Sequence, residues 1–208
     1  MTRAAAKPGA ALLGVTHPHT SGRTRALIEK SIPILGAWDD GPVIEPFTKK
    51  FEIPERPLEA ILDDRDVSIV MIHGKSHSMV PLASSALRAG KAVLVEKPGG
   101  KNLEDLETLV RVVEETNGIC QVGYSYRFSP IAWASEKTEY TPDLAEIGNL
   151  HFFRREVESF VAAALGERPV EIPAAHARDI LKLITACYES STQGGQEVRL
   201  NDLLTKSL

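Results

Sequence analysis

Two charged residues and a proline, Glu96-Lys97-Pro98, follow the apolar run 92–95, where a buried strand would stop. A lysine held there, beside a carbon that bears oxygen, can orient that oxygen and carry its proton. Burial would draw the lysine pKa down while the neighbouring carboxylate held it up, so the net direction stays open. On its own, the tripeptide also reads as a helix entry with Pro98 in the first turn. Two more polar stretches follow apolar runs: Thr16-His17-Pro18-His19 after 10–15, and His73-Gly74-Lys75-Ser76-His77 after 67–72. Hydroxyl and imidazole groups at such points can meet a phosphate, and equally they make ordinary polar turns or helix starts. Asp39-Asp40-Gly41 ends a further run, 33–38, where a carboxylate can accept from ribose hydroxyls or simply shape a turn.

These loops meet only if the runs before them are neighbouring parallel strands. Apolar residues predict strands over 10–15, 33–38, 67–72 and 92–95, and helical spacing fits the stretch through Arg25, Leu27 and Ile28 and the segments 46–51, 58–62 and 80–89, the last closed by Gly90. Leu103, Leu106, Leu109, Val110 and Val113 make a stripe that predicts a helix over 103–116, stopped by Asn117-Gly118. Residues 119–122 are a sixth-strand candidate running into Gly123-Tyr124-Ser125-Tyr126-Arg127-Phe128. Strand and helix in alternation imply α/β architecture: a Rossmann-like, doubly wound parallel sheet with helices on both faces. Beyond 129–149, where the pattern weakens, 150–154 reads as a short strand and 157–165 and 174–190 as helices. Two helices cannot bury a core of their own, so they are expected to pack back on the sheet. Residues 1–130 are expected to form the nucleotide domain and 131–208 a reduced C-terminal region.

On such a sheet a dinucleotide lies along the carboxyl edge, with its pyrophosphate over the first helix N-terminus. Gly14 fits the first position of G-x-G-x-x-G, but Thr16 and Pro18 or His19 stand where glycines allow close approach. Thr16, His17 and His19 are then the candidate phosphate donors and Asp39 the ribose acceptor. No arginine follows Asp39 immediately, which favours NAD(H) over NADP(H). His73 falls on the nicotinamide side.

A net charge of −4, with 43% hydrophobic and 25% charged residues, argues against general nucleic-acid binding. No apolar run approaches the ~18 residues of a membrane span, and residues 1–8 read as a flexible tail without a signal core. Cys120 and Cys187 give neither a disulfide framework nor a metal spacing and read as buried neutral thiols. A cytoplasmic protein acting on a small molecule is expected.

With the strand ending in Glu96-Lys97-Pro98 and the downstream Val122-Gly123-Tyr124-Ser125-Tyr126-Arg127-Phe128 in order, the chain resembles the Gfo/Idh/MocA oxidoreductases. The resemblance runs through residues 10–130 and again through the closing helices and a terminal strand at the C-terminal end. It implies hydride transfer between NAD(P) and sugars, inositols or related alcohols and carbonyls. Lys97 then matches the family lysine, with Glu96 and Pro98 of the same motif and Arg127 near the cofactor. Tyr126 or His151 would assist in catalysis, although packing roles for the tyrosines and an ion pair for Arg127 fit as well. Two departures stand out. Gly74-Lys75 and Met79 replace the family's Thr-Pro and nearby histidine after the third strand, and the open antiparallel sheet with its Asp-x-x-x-His motif is missing. The chain is thus a minimal or internally shortened member, expected to dimerise or to bind a partner over the surface left bare. A non-redox lyase, epimerase or cyclase, or a non-catalytic scaffold, are the alternative functions.

Overall fold

The computed structural model describes residues 8–128 and 149–200. Strands β1 (Gly9–Leu13), β2 (Ile34–Trp38), β3 (Val67–Ile72), β4 (Ala92–Glu96) and β5 (Cys120–Gly123) form one parallel sheet in the order β2-β1-β3-β4-β5. The helices are α1 (His19–Glu29), α2 (Ile44–Phe51), α3 (Leu58–Leu62), α4 (Ser76–Arg88), α5 (Leu103–Thr116), α6 (Asn149–Ala164) and α7 (Ala174–Thr192), with a short 3-10 helix at Ser125–Phe128.

The strand period of two sorts side chains onto two covered faces. Ala11, Leu13, Val70, Ile72, Val93, Val95 and Val122 face a core with α3, α4, α5 and α7. Ala10, Leu12, Ile69, Met71 and Leu94 face a second core with α1, α2 and α6. Both faces being apolar, the strands read as continuous hydrophobic runs. This is the doubly wound α/β arrangement, and α6 and α7 lie on the sheet as expected. Among the described residues no second sheet is present.

Local chemistry sets the boundaries. Asn102 caps α5 by accepting from the Asp105 amide at 2.9 Å, and Asn117, at φ +47°, ends it. Gly90, at φ +74°, follows α4.

Four expectations need correction. Residues 150–154 belong to α6, because Phe153, Val157, Phe160 and Ala164 continue at helical spacing into the second core. Five residues are too few to separate that period from a strand's. The segment 119–122 is the fifth strand; a sixth position is filled only if the isolated parallel bridge Ala37↔Glu55 at the far edge is counted. Cys187 is exposed, whereas Cys120 is buried and its thiol is pushed up to about 12 by burial. The terminal strand implied near the C-terminus is not formed over residues 193–200. The tail expected at 1–8 (apart from Pro8) and the weakly patterned stretch 129–148 lie outside the described residues.

Candidate functional site

Strand order reverses between β1 and β3, which leaves a crevice at their carboxyl ends. Gly14, at φ +75°, sits against the β3 loop so closely that a Cβ would strike the backbone of Gly74. Gly14→Ala is therefore expected to destabilise the fold by about 1–3 kcal/mol through its left-handed backbone alone, read as a lowered urea midpoint. An unchanged midpoint would mean that the loops do not approach in this way.

The crevice is walled by Gly14, Thr16, Trp38, Asp39, Gly74 and Ser78. Asp39 stands at the end of β2, where one carboxylate oxygen accepts from the Val15 amide at 2.6 Å and the other from the Gly41 amide at 2.8 Å. Each oxygen keeps a lone pair for a further donor. Lys75 pairs with Asp40 at 3.6 Å across the mouth, both more than half exposed. An exposed pair is worth about 0–1 kcal/mol, so an entering ligand can open it.

Beside the crevice the β1–α1 loop folds onto its own donors. The His17 amide donates to the His73 carbonyl at 3.2 Å, the His19 amide to His17 Nδ1 at 3.2 Å, and the Thr20 amide to the His17 carbonyl at 3.0 Å. Thr16 Oγ1 donates to the His73 carbonyl at 3.4 Å. A phosphate here would meet the side chains of Thr16, His17 and His19 more readily than backbone amides.

Beneath the loop lies a buried charge cluster. Glu96 ends β4 fully buried, and its carboxylate accepts from Arg23 Nη1 and from the Lys97 amide. Arg23 Nε donates to Glu156 of α6 at 2.7 Å, and Nη2 donates to the Gly123 carbonyl at 3.3 Å. A Cβ at Gly123 would meet that guanidinium, so glycine makes its seat. Burial opposes the charge on Arg23, yet Glu156 and Glu96 overcome it and hold the guanidinium pKa above its ordinary value. Burial pushes the Glu156 carboxyl up against the pull of Arg23. His19 Nδ1 lies 3.2 Å from both Glu96 oxygens, and His17 Nδ1 lies 3.7 Å from one. Burial lowers the His17 pKa against the pull of Glu96. Glu96, expected from sequence at the cofactor, is buried in the structure beneath the two histidines.

His73 is wholly buried with neither ring nitrogen paired. Burial, then the charges of Arg23, His17 and His19, hold it well below its ordinary pKa of 6.5. Its unfolded form binds a proton between those values and its folded form does not, so the stability it contributes is full above pH 6.5 and is lost as pH falls toward the folded value. Relative to a His73→Leu variant, the natural chain is expected to lose up to about 1.4 kcal/mol per pH unit below 6.5. Urea unfolding across that range checks this, and a difference that stays flat with pH would contradict it.

Lys97 follows at the same edge, exposed, with a cis peptide to Pro98. Among the described residues its ammonium makes no hydrogen bond or ion pair. Tyr126, 71% exposed, lies with its ring centroid 5.3 Å from that of Phe152 and shares a cleft with His19, Ser125 and Phe153. Arg127 pairs with Glu171 at 3.9 Å. His151 sits in the first turn of α6 with Nε2 buried and unpaired. The edge thus gathers Gly14, Thr16, His17, His19, Asp39, His73 and Glu96, whereas among the described residues no hydrogen bond joins His151 to Lys97.

Sequence reasoning missed Arg23 and Glu156. A signal existed for Arg23, because Thr20, Arg23, Thr24 and Leu27 repeat at helical spacing and all four are buried.

A model of an oxidoreductase family with an NAD-binding Rossmann fold, Gfo/Idh/MocA, matches residues 3–124. The chain belongs to this family. It is 34% identical over 100 residues to the scyllo-inositol 2-dehydrogenase (NAD(+)) of Bacillus subtilis, covering 48% of this chain and 28% of that one. It is 29% identical over 87 residues to the levoglucosan dehydrogenase of Pseudarthrobacter phenanthrenivorans, covering 42% and 22%. An NAD-binding protein from Listeria innocua superposes with a TM-score of 0.53 at 27% identity, covering 59% of this chain and 37% of that one. A Lactobacillus casei scyllo-inositol dehydrogenase, solved with NAD(H) and scyllo-inositol, shares the fold at a TM-score of 0.53 and 22% identity, covering 60% and 38%. The chain thus spans under a third of the curated relatives and under two-fifths of these solved structures.

The residues of this Gfo/Idh/MocA member fit the adenosine half of NAD. Gly14 packs its bare Cα against Gly74 at the floor of the crevice, and Asp39 keeps acceptor capacity beside it.

Proposed function

We propose that this chain binds NAD(H) along the edge formed by the β1, β2 and β3 loops and takes part in hydride transfer on a polyol or sugar-like alcohol or its carbonyl form. The observation that carries this reading is one shared edge: the crevice lined by Gly14 and Asp39 for the adenosine, and Lys97 at the end of β4 for the reacting oxygen. The bound nicotinamide would supply the hydride acceptor or donor. Asp39 would accept from the ribose hydroxyls, Thr16 and His17 would donate to phosphate, and Lys97 would move the proton of the substrate oxygen. The names of the relatives, dehydrogenases of inositols and of levoglucosan, support a cyclic polyol or sugar substrate.

A polyol deuterated at its carbinol carbon tests this directly. The expected result is binding of NADH by calorimetry and deuterium recovered in the reduced nicotinamide. A folded sample that binds no NADH would sink the reading. A second reading, a non-redox enzyme or a scaffold, draws support from the loop amides already engaged at His17, His19 and Thr20. It predicts nucleotide binding without deuterium transfer.

A further inference from the structure

His17, His19 and Glu96 each place one donor atom within 4.8 Å of the others. We infer that these three side chains form a binding site for a divalent transition-metal ion of the zinc class, with one coordination position open to the cleft beside Tyr126.

Donor chemistry selects the ion. Two imidazoles and a carboxylate suit zinc and its first-row neighbours, whereas magnesium and calcium take shells of oxygen. Bonds of about 2.0–2.2 Å in a tetrahedron set neighbouring donors about 3.3 Å apart. The observed 3.2 Å from His19 and 3.7 Å from His17 to the Glu96 carboxylate lie close to that spacing, and the two imidazole donors lie within 4.8 Å of each other. The contact of the His19 amide with His17 Nδ1 would yield, and that half-buried loop can pass the amide to water.

Charge points the same way. Glu96 and Glu156 are buried against a single buried guanidinium, Arg23, which leaves one negative charge in excess next to the two histidines. Such an excess draws a cation. A divalent ion would turn the excess positive, which favours an anionic fourth ligand, a hydroxide or a phosphate oxygen.

A second observation is independent of the cluster. His73, wholly buried, takes the His17 amide on its carbonyl at 3.2 Å and has two unpaired ring nitrogens, and Glu156 has a buried unpaired oxygen. Buried polar atoms without partners are rare, and an ion with its water ligands can satisfy them. The His17 and His19 side chains are 25% and 29% exposed, so the fourth position is reachable from solvent. Three protein donors with an open position is the pattern of a site able to activate a bound oxygen.

The inference stands on loop geometry and does not depend on nucleotide binding. The test uses the full chain, free of any affinity tag and stripped of metal. Titration with zinc by calorimetry is expected to give one equivalent, and cobalt(II) is expected to give the intense visible bands of a four-coordinate nitrogen and oxygen site. His17→Asn and His19→Asn should each weaken zinc binding by at least about a hundredfold, while His77→Asn, at an exposed position on α4, should not change it. Glu96→Gln removes half of a buried pair and can fail to fold, so the histidine variants decide. Absent cobalt bands, unchanged affinity in both histidine variants, or an equal loss in His77→Asn would overturn the site. NADH titration of the same metal-free sample is a separate readout, so failure of one assignment leaves the other standing.

Discussion

Replacing Arg23 with methionine will destabilise the folded chain by about 3–5 kcal/mol, the usual loss when one member of a buried ion cluster is removed. Methionine fills much of the same volume, so the effect is electrostatic more than a cavity. What remains is Glu96 and Glu156, both fully buried, with no guanidinium between them. In a chain of this size that loss lowers the melting temperature by about 6–20 °C. Glu156→Gln behaves differently. The amide oxygen can still accept from Arg23 Nε, and Arg23 and Glu96 are left balanced one against one, so the expected change is within about 1 kcal/mol. Adding Glu156→Gln to Arg23→Met should recover part of the loss, and the double-mutant cycle measures the coupling. A loss under about 1 kcal/mol for Arg23→Met would mean that the cluster is open to water. The cluster also joins distant chain: Arg23 and Glu156 are 133 positions apart, so α6 is tied to the sheet by charge as well as by Phe153, Val157 and Phe160.

In the hydride transfer proposed above, Lys97→Ala is expected to lower kcat by about a hundred- to ten-thousand-fold, the range for loss of a positioned proton carrier. Its side chain is exposed and unpaired among the described residues, so stability should move by no more than about 0.5 kcal/mol. Affinity for NADH should stay within about threefold, since the crevice at Gly14 and Asp39 is untouched. Lys97→Arg separates proton transfer from charge: a guanidinium keeps the charge but does not release its proton, so it should not restore turnover. Turnover surviving in Lys97→Ala would remove the lysine from the chemistry and move attention to the histidines above Glu96. The measurement is steady-state oxidation of a polyol, followed by nicotinamide absorbance.

The fold was legible where the physics is local. Apolar runs marked the strands, Asn117 and Gly90 marked helix ends, and the alternation of strand with helix set a parallel sheet covered on both sides. The carboxyl edge could also be read, because every candidate loop follows a strand and parallel strands end together. Legibility failed where a period needs length, as at 150–154, and where an edge strand shrinks to the single bridge at Glu55. The supports of the site were hidden for a different reason. The partners of Glu96 could not be read because they are elsewhere in the chain: Arg23 lies 73 positions before it and His19 lies 77. A polar residue on the inner face of α1 was the available hint, and only tertiary structure says which carboxylates it meets.

The sheet has two outer edges, and each is occupied by irregular chain. At β2, Ala37 donates to the Pro54 carbonyl at 2.9 Å and accepts from the Arg56 amide at 3.0 Å. At β5, the Val122 amide donates to the Ile172 carbonyl at 2.9 Å, and Gln121 bridges Pro173 in antiparallel fashion. An open strand edge is a template on which a foreign strand can polymerise, and proline, which has no amide proton, interrupts such a template. Here a proline lies alongside both edges, one before α3 and one at the start of α7. Growth of the sheet by lateral addition is thereby obstructed at either end, which protects this short α/β unit from strand-exchange aggregation. Cutting the chain before Ile172 would uncover β5 and turn a guarded edge into a nucleus for fibres.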